Sequence, residues 1–282
     1  MRIANVSGRL ALITADGTRA VDVERASDGR FAADPQAVYE HWDAFREWAA
    51  GAELPEGEPF DAADLGAPVP AARQIFAIGL NYRAHADESG FDAPEGLPPV
   101  FTKFATAITG PVTTLELPEG GHNDWEVELV AVIGKRAREV AEADGWDYVA
   151  GLTVGQDVSE RIGQLAGPAP QFSLGKSHPG FAPTGPWVVT TDEFDNPDDL
   201  ELRCTVNGEE MQKGRTRDLI VSVPALVARL SQVLPLLPGD IIFTGTPSGV
   251  GMGRKPQRWL ADGDLLVSTI EGIGELRQTC RG

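Results

Sequence analysis

Within the segment "DWEVELV", residues 124–130, Glu126 and Glu128 stand two positions apart among tryptophan, valine and leucine. In an extended chain residues i and i+2 share a face, so both carboxylates project together while Trp125, Val127 and Leu129 point the other way. Two adjacent anions need a counterpart: solvent, a pair of cationic side chains, or a metal ion. A third carboxylate, Asp157, falls where the apolar run "YVAGLTVGQDV" gives way to a polar turn. From there a side chain reaches the rim of a sheet or barrel. Three oxygen donors without Cys or His favour a hard divalent cation, Mg²⁺ or Mn²⁺, with open positions for water or substrate. A solvated strand face is the plain alternative for a Glu-x-Glu pair.

Other stretches add candidate chemistry. In "GLNYRAHADESG", His85 and Glu88 are three apart. If that segment is helical they share a face, and the carboxylate orients and polarises the imidazole as a base. A surface histidine beside an acid is the competing reading. Lys176 lies in the Gly/Pro-rich "SLGKSHPGFAPTGP", where a solvated lysine is the ordinary explanation. The segment "DIIFTGTPSGVGMG" runs from a strand into a loop carrying Gly245, Gly249, Gly251 and Gly253, whose amides could approach an anion. It is no dinucleotide fingerprint, because the G-x-G-x-x-G spacing is absent and "RKPQ" follows instead of an apolar helix.

The elements that must position these groups read as mainly β. Residues 1–23 alternate and break at Gly and Asp, which predicts a small hairpin sheet. "DPQAVYEHWDAFREWAAG" follows with Val38, Trp42, Phe45 and Trp48 at helical spacing. Residues 51–72, rich in Pro, Gly, Asp and Glu, read as a linker, which places a boundary near residue 70 between a small N-terminal α+β domain (1–70) and a catalytic domain (71–282). Beyond it come short apolar strands and one strong helix, "SVPALVARLSQVLPLL". Its stripe is Val223, Leu226, Val227, Leu230, Val233 and Leu234, with Ser222 as N-cap.

Composition bounds the function. The 282 residues, 42% hydrophobic and 23% charged, suffice for one large domain or a large and a small one. A net charge of −18 repels a nucleic-acid backbone or an anionic membrane, so an anionic substrate needs a local positive centre. No apolar run is long enough to span a membrane and the N-terminus lacks a signal-peptide core, which makes the cytoplasm the expected location. Two cysteines, Cys204 and Cys280, suggest neither a disulfide framework nor a Cys-based zinc site.

The ordered set "IFAIGLNYRAHADE", "PPVFTKFATAITGP", "WEVELVAVIGKRAREV", "YVAGLTVGQDVSER", "GKSHPGFAPTGPWVVT", "VNGEEMQKGRTRDLI", "LPGDIIFTGTPSGVGMGRKPQRWLADGD" and "IEGIGEL" resembles the fumarylacetoacetate hydrolase family over roughly residues 73 to 280. The N-terminal segment looks like the extra domain of longer members, including those acting on diketo-deoxy sugar acids. The resemblance implies a mixed α/β, mainly β fold with a curled central sheet, a β-sandwich roll, and a homodimer. It implies that Glu126, Glu128 and Asp157 hold Mg²⁺ or Mn²⁺, that His85 and Glu88 form the catalytic dyad, and that Lys176 is the lysine of the "GKS" segment. Arg161, Gln164 and Thr246 match substrate-binding positions. Lys103 fits either a substrate contact or a structural ion pair. Gln156, Glu160 and His178 depart from the usual pattern and bear on substrate identity.

The activity so implied is metal-dependent hydrolysis of the C–C bond of a 2,4-dioxo acid. Decarboxylation of oxaloacetate and isomerisation or tautomerisation of an unsaturated 2-oxo diacid are alternatives on the same site. A non-catalytic metal- or ligand-binding protein is a further one, disfavoured because binding alone requires no oriented base.

Overall fold

A computed structural model of the chain describes residues 1–90 and 96–282. Its centre is the strand Val127–Ile133, "VELVAVI", in which every residue is buried. Such a run has no solvent face, because alternate side chains enter different cores. Val127, Leu129, Ala131 and Ile133 join one apolar cluster, while Val130 and Val132 join another. The strand pairs antiparallel with Val149–Gln156 on one side and Ile241–Phe243 on the other.

Among the described residues this sheet has twelve strands. From Val149–Gln156 it continues through Ala182–Val189 to the N-terminal strands Arg2–Val6, Arg9–Ile13 and Arg19–Asp22. From Ile241–Phe243 it continues through Ile75–Ile78 to Val100–Thr102. A five-stranded sheet, ordered 209–215, 201–206, 265–270, 274–281 and 112–116, is the second large layer. The first cluster lies between the layers: Leu202, Cys204, Leu266 and Leu276 face Val127 and Leu129 there, joined by Leu226 and Leu230 of the helix Val223–Val233. The second cluster packs Ile3, Leu10, Trp42 and Phe45 on the opposite face of the large sheet. Phe45 has no exposed surface, so truncation to Ala should cost about 3–5 kcal/mol.

The structure departs from the expected elements in four places. The N-terminal hairpin is not a sheet of its own: Arg2 pairs with Val189 and Ile3 with Val188, so it extends the large sheet. Residues 51–72 contain two short paired strands, Glu58–Pro59 against Arg19–Ala20 and Leu65–Gly66 against Asn5–Val6. Composition rich in Pro and Gly shortens strands without abolishing their pairing. Ser222 occupies the N-cap position but makes no side-chain capping bond. In the apolar stripe, Val233 is 72% exposed, because the helix ends there and its last turn overhangs the core.

Candidate active site

The three carboxylates converge. One oxygen each from Glu126, Glu128 and Asp157 lie within 4.8 Å of one another, and all three side chains are buried. Glu126 and Glu128 share a face of the central strand at the end where its apolar packing stops. Asp157 follows the neighbouring strand and is tied back by its own N–H, which donates to the Glu126 carbonyl at 2.9 Å.

Cations flank this triad. Lys176 Nζ donates to Glu126 Oε2 at 2.7 Å and to Asp157 Oδ2 at 2.6 Å. Lys103 Nζ donates to Asp157 Oδ1 at 2.5 Å and to the Lys176 carbonyl. Arg161 Nη2 stands 2.7 Å from Glu126 Oε1 and 2.7 Å from Asp124 Oδ2. Burial pushes the Glu126 carboxyl up, but Lys176 and Arg161 outweigh it and hold the group below the usual carboxylate range. Among the described residues no cation forms an ion pair with Glu128: burial, then the charges of Asp157 and Glu126, outweigh Lys176 and push its carboxyl well above that range. Burial lowers the Lys176 ammonium, yet Asp157 and Glu126 raise it beyond the ordinary lysine value. Clustered, buried, hard oxygen donors, one of them strained toward protonation by its neighbours, fit a divalent cation.

The helix Arg83–Ser89 places His85 and Glu88 on one face, with Nδ1 and Oε1 2.9 Å apart. His85 enters a cavity of about 190 Å³ together with Glu126, Glu128, Asp157, Arg161, Gln164, Lys176 and Thr246. Glu88 stays outside it, its carboxylate accepting from the Gly249 N–H at 2.9 and 3.0 Å. The remaining wall is largely apolar, with Leu80, Phe101, Leu165, Phe172 and Met252.

The glycine loop holds these parts in place. Gly245, at φ 105°, donates its N–H to Glu128 Oε2 at 2.8 Å. Gly249, at φ 108°, has no room for a side chain, since a Cβ would lie 2.1 Å from the Met211 carbonyl. Thr246 lines the cavity, but its hydroxyl donates to the Val127 carbonyl at 2.9 Å and accepts from Gln212 Nε2 at 2.7 Å, so its proton is committed to the fold. Lys103 is absent from the cavity wall and acts as an ion-pair partner of Asp157. None of Gln156, Glu160 and His178 lines the cavity. Gln156 Oε1 accepts from the Glu126 N–H at 2.8 Å, and Glu160 caps the helix Arg161–Gln164 through the Ile162 and Gly163 amides.

Sequence reasoning passed over Asp124 and Gln212. Asp124 is fully buried beside Arg161. Its signal was available, since it continues the i, i+2 series of Glu126 and Glu128 by one step. Gln212 gave none; its Oε1 accepts from the Val127 N–H at 3.0 Å across 85 residues of chain.

A mainly β scaffold with a buried, acid-rich pocket and an imidazole–carboxylate pair at its edge has the architecture of an enzyme. The chain belongs to the fumarylacetoacetate hydrolase family, since the family model described as "Fumarylacetoacetate (FAA) hydrolase C-terminal" matches residues 74–281. A 2,4-didehydro-3-deoxy-L-rhamnonate hydrolase from Sphingomonas sp. (strain SKA58) is 44% identical over 231 residues, covering 81% of this chain and 79% of the relative. A solved Mycobacterium smegmatis protein, provisionally named HpcE, is 55% identical with a TM-score of 0.96, covering 100% of this chain and 99% of its own. The maleylpyruvate hydrolase of Sphingobium sp. SYK-6, solved with manganese (II) and pyruvate, is 30% identical with a TM-score of 0.77, covering 100% and 99%. The mixed, mainly β fold expected from the resemblance is the fold observed. No helix among the described residues is long and apolar enough to cross a membrane.

Proposed function

We propose that this protein is a divalent-metal-dependent hydrolase that cleaves the C3–C4 bond of a 2,4-dioxo acid, of the acylpyruvate or diketo-deoxy sugar acid type. The observation that carries the reading is the meeting of the Glu126–Glu128–Asp157 triad with His85 and Lys176 in one small cavity. Mg²⁺ or Mn²⁺ held by Glu126, Glu128 and Asp157 would supply Lewis acidity toward the carboxylate and keto oxygens of a 2-oxo acid.

The side chains divide the remaining work. His85, oriented by Glu88, takes a proton from water, and the resulting hydroxide adds to the C4 carbonyl. The C3–C4 bond then breaks, its electron pair stays with C3, and the proton held by His85 returns to that carbon. One carboxylic acid and one 2-oxo acid leave, with the elements of water added. Two of the three N–H donors of Lys176 are taken by Glu126 and Asp157, which leaves one for the oxyanion developing at C4. Arg161 and Gln164 are the proposed contacts for the substrate carboxylate, with the Thr246 backbone beside them. Such a pocket suits a small-molecule acid, and a cytoplasmic homodimer is its proposed setting, with residues 1–70 as a small N-terminal domain.

The deciding experiment is a turnover assay on metal-stripped protein restored with Mg²⁺ or Mn²⁺. It offers acetylpyruvate, a diketo-deoxy sugar acid and oxaloacetate, with products identified by mass. Dioxo acid cleavage that vanishes in Glu126→Ala and His85→Ala is the expected result. Carbon dioxide from oxaloacetate, without dioxo acid cleavage, would replace the hydrolase reading by a decarboxylase one.

A further inference from the structure

We propose that Asp124 is a positioning residue that fixes the Arg161 guanidinium for the carboxylate of a 2-oxo acid; the proposal rests on the functional reading above. The Asp124 carboxylate is itself immobile. Its Oδ1 accepts from the Trp125 N–H at 2.8 Å and the Gly251 N–H at 2.6 Å, and its Oδ2 accepts from the Met252 N–H at 3.0 Å. Three backbone donors from two separate segments leave the side chain no alternative rotamer.

Against this fixed anion Arg161 is held by its Nε, which donates to Asp124 Oδ2 at 2.9 Å, and by Nη1, which donates to Gln164 Oε1 at 2.9 Å. The third nitrogen is different. Nη2 lies at ion-pair distance from Asp124 and Glu126 but is aligned for a hydrogen bond to neither, although it is fully buried. Arg161 lines the cavity, so its guanidinium, ion-paired to both carboxylates, presents its charge beside the triad. The carboxylate of a ligand entering the cavity is the chemistry that complements that charge.

Remove the Asp124 charge, and Glu126 becomes the one carboxylate left to Arg161. The guanidinium then closes on Glu126 Oε1, withdrawing Nη2 from the ligand and competing with a cation for Glu126. The Met252 side chain on the apolar wall shares the Asp124 anchor through its own N–H, so one carboxylate sets the position of groups on both walls.

The test uses Mn²⁺ titration followed by electron paramagnetic resonance, and calorimetric titration of pyruvate into the Mn²⁺-loaded protein. Wild type, Asp124→Asn, Arg161→Gln and the double variant are compared. Asp124→Asn should weaken pyruvate binding about tenfold and Mn²⁺ binding less, while in the Arg161→Gln background it should add nothing. Pyruvate affinity within about twofold of wild type, or full additivity of the two substitutions, overturns the proposal and leaves Asp124 a purely structural residue. Wild-type protein that binds Mn²⁺ but no pyruvate overturns the functional reading together with the proposal. Should Asp124→Asn fail to fold, Arg161→Lys keeps the charge without the fork. Weaker pyruvate binding at unchanged Mn²⁺ affinity then supports the proposal, and unchanged pyruvate binding refutes it.

Discussion

Lys103 Nζ and Asp157 Oδ1 stand 2.5 Å apart with neither side chain more than 1% exposed, while Lys176 occupies the other oxygen of the same carboxylate. Asp157 is thus gripped from both sides before any ligand arrives. Burial lowers the Lys103 ammonium toward neutrality, and the Asp157 charge opposes that. Lys103→Met leaves a buried carboxylate oxygen without its cation, and should cost about 3–5 kcal/mol of stability. A urea midpoint that converts to less than about 1 kcal/mol would show that the carboxylate finds another partner.

The triad also predicts how stability and metal binding change with pH. Glu128 keeps its proton well above the ordinary 4.5 in the fold, because burial and then the Asp157 and Glu126 charges disfavour its anion. Between 4.5 and that raised value the folded chain binds a proton that the unfolded chain has released. Stability of chelated protein should therefore fall as pH rises through this window. Glu126 contributes the opposite sign: held below its ordinary value, it stabilises above 4.5 and loses that contribution under acid. A bound cation displaces the Glu128 proton, so Mn²⁺ affinity should climb with pH across the same window. Calorimetry in buffers of different ionisation enthalpy, repeated across pH, measures the released proton; an Mn²⁺ affinity that does not change with pH above 4.5 contradicts the assignment.

For the dyad, His85→Ala should lower kcat by about 10²–10⁴ while Mn²⁺ binding persists. Glu88→Gln should lower kcat by a comparable factor, because it leaves the proton on His85 Nε2. Its amide nitrogen donates toward His85 Nδ1, fixing the other tautomer, while its oxygen still accepts from Gly249. Equal turnover in His85→Ala and wild type would remove the imidazole from water activation.

The helix Val223–Val233 gives a contrast in stability. Leu226, wholly buried, should cost about 2–5 kcal/mol as Ala, whereas Val233 as Ala should stay within about 0.5 kcal/mol. Thermal melts of the two variants check both values.

That pair also shows how far residue spacing reads. Period 3.6 picked the stripe from Val223 to Leu230 because those positions face one core, but the period continues past the point where the core ends, and Val233 overhangs it. Alternation placed Glu126 and Glu128 on one face and Trp125, Val127 and Leu129 on the other, which is a local property of any strand. It could not say what lies across that face. Arg2 pairs with Val189, a partner far along the chain, so the hairpin's place in the large sheet was invisible to a local pattern. Asp124 continues the alternation of Glu126 and Glu128, but its role was not legible there, because its partners Gly251, Met252 and Arg161 become neighbours only through the fold.

The outermost strand beyond the N-terminal hairpin is Glu58–Pro59, two residues long and exposed. A carboxylate and a proline make a poor template for another chain, so the twelve-stranded sheet ends there in a deliberate stop. Cutting the chain after residue 70 would strip away that stop together with the hairpin and uncover the Val188–Val189 end of the strand Ala182–Val189, whose other end pairs with Ile108–Thr109. The N-terminal segment, none of whose residues lines the cavity, thereby closes this edge of the sheet.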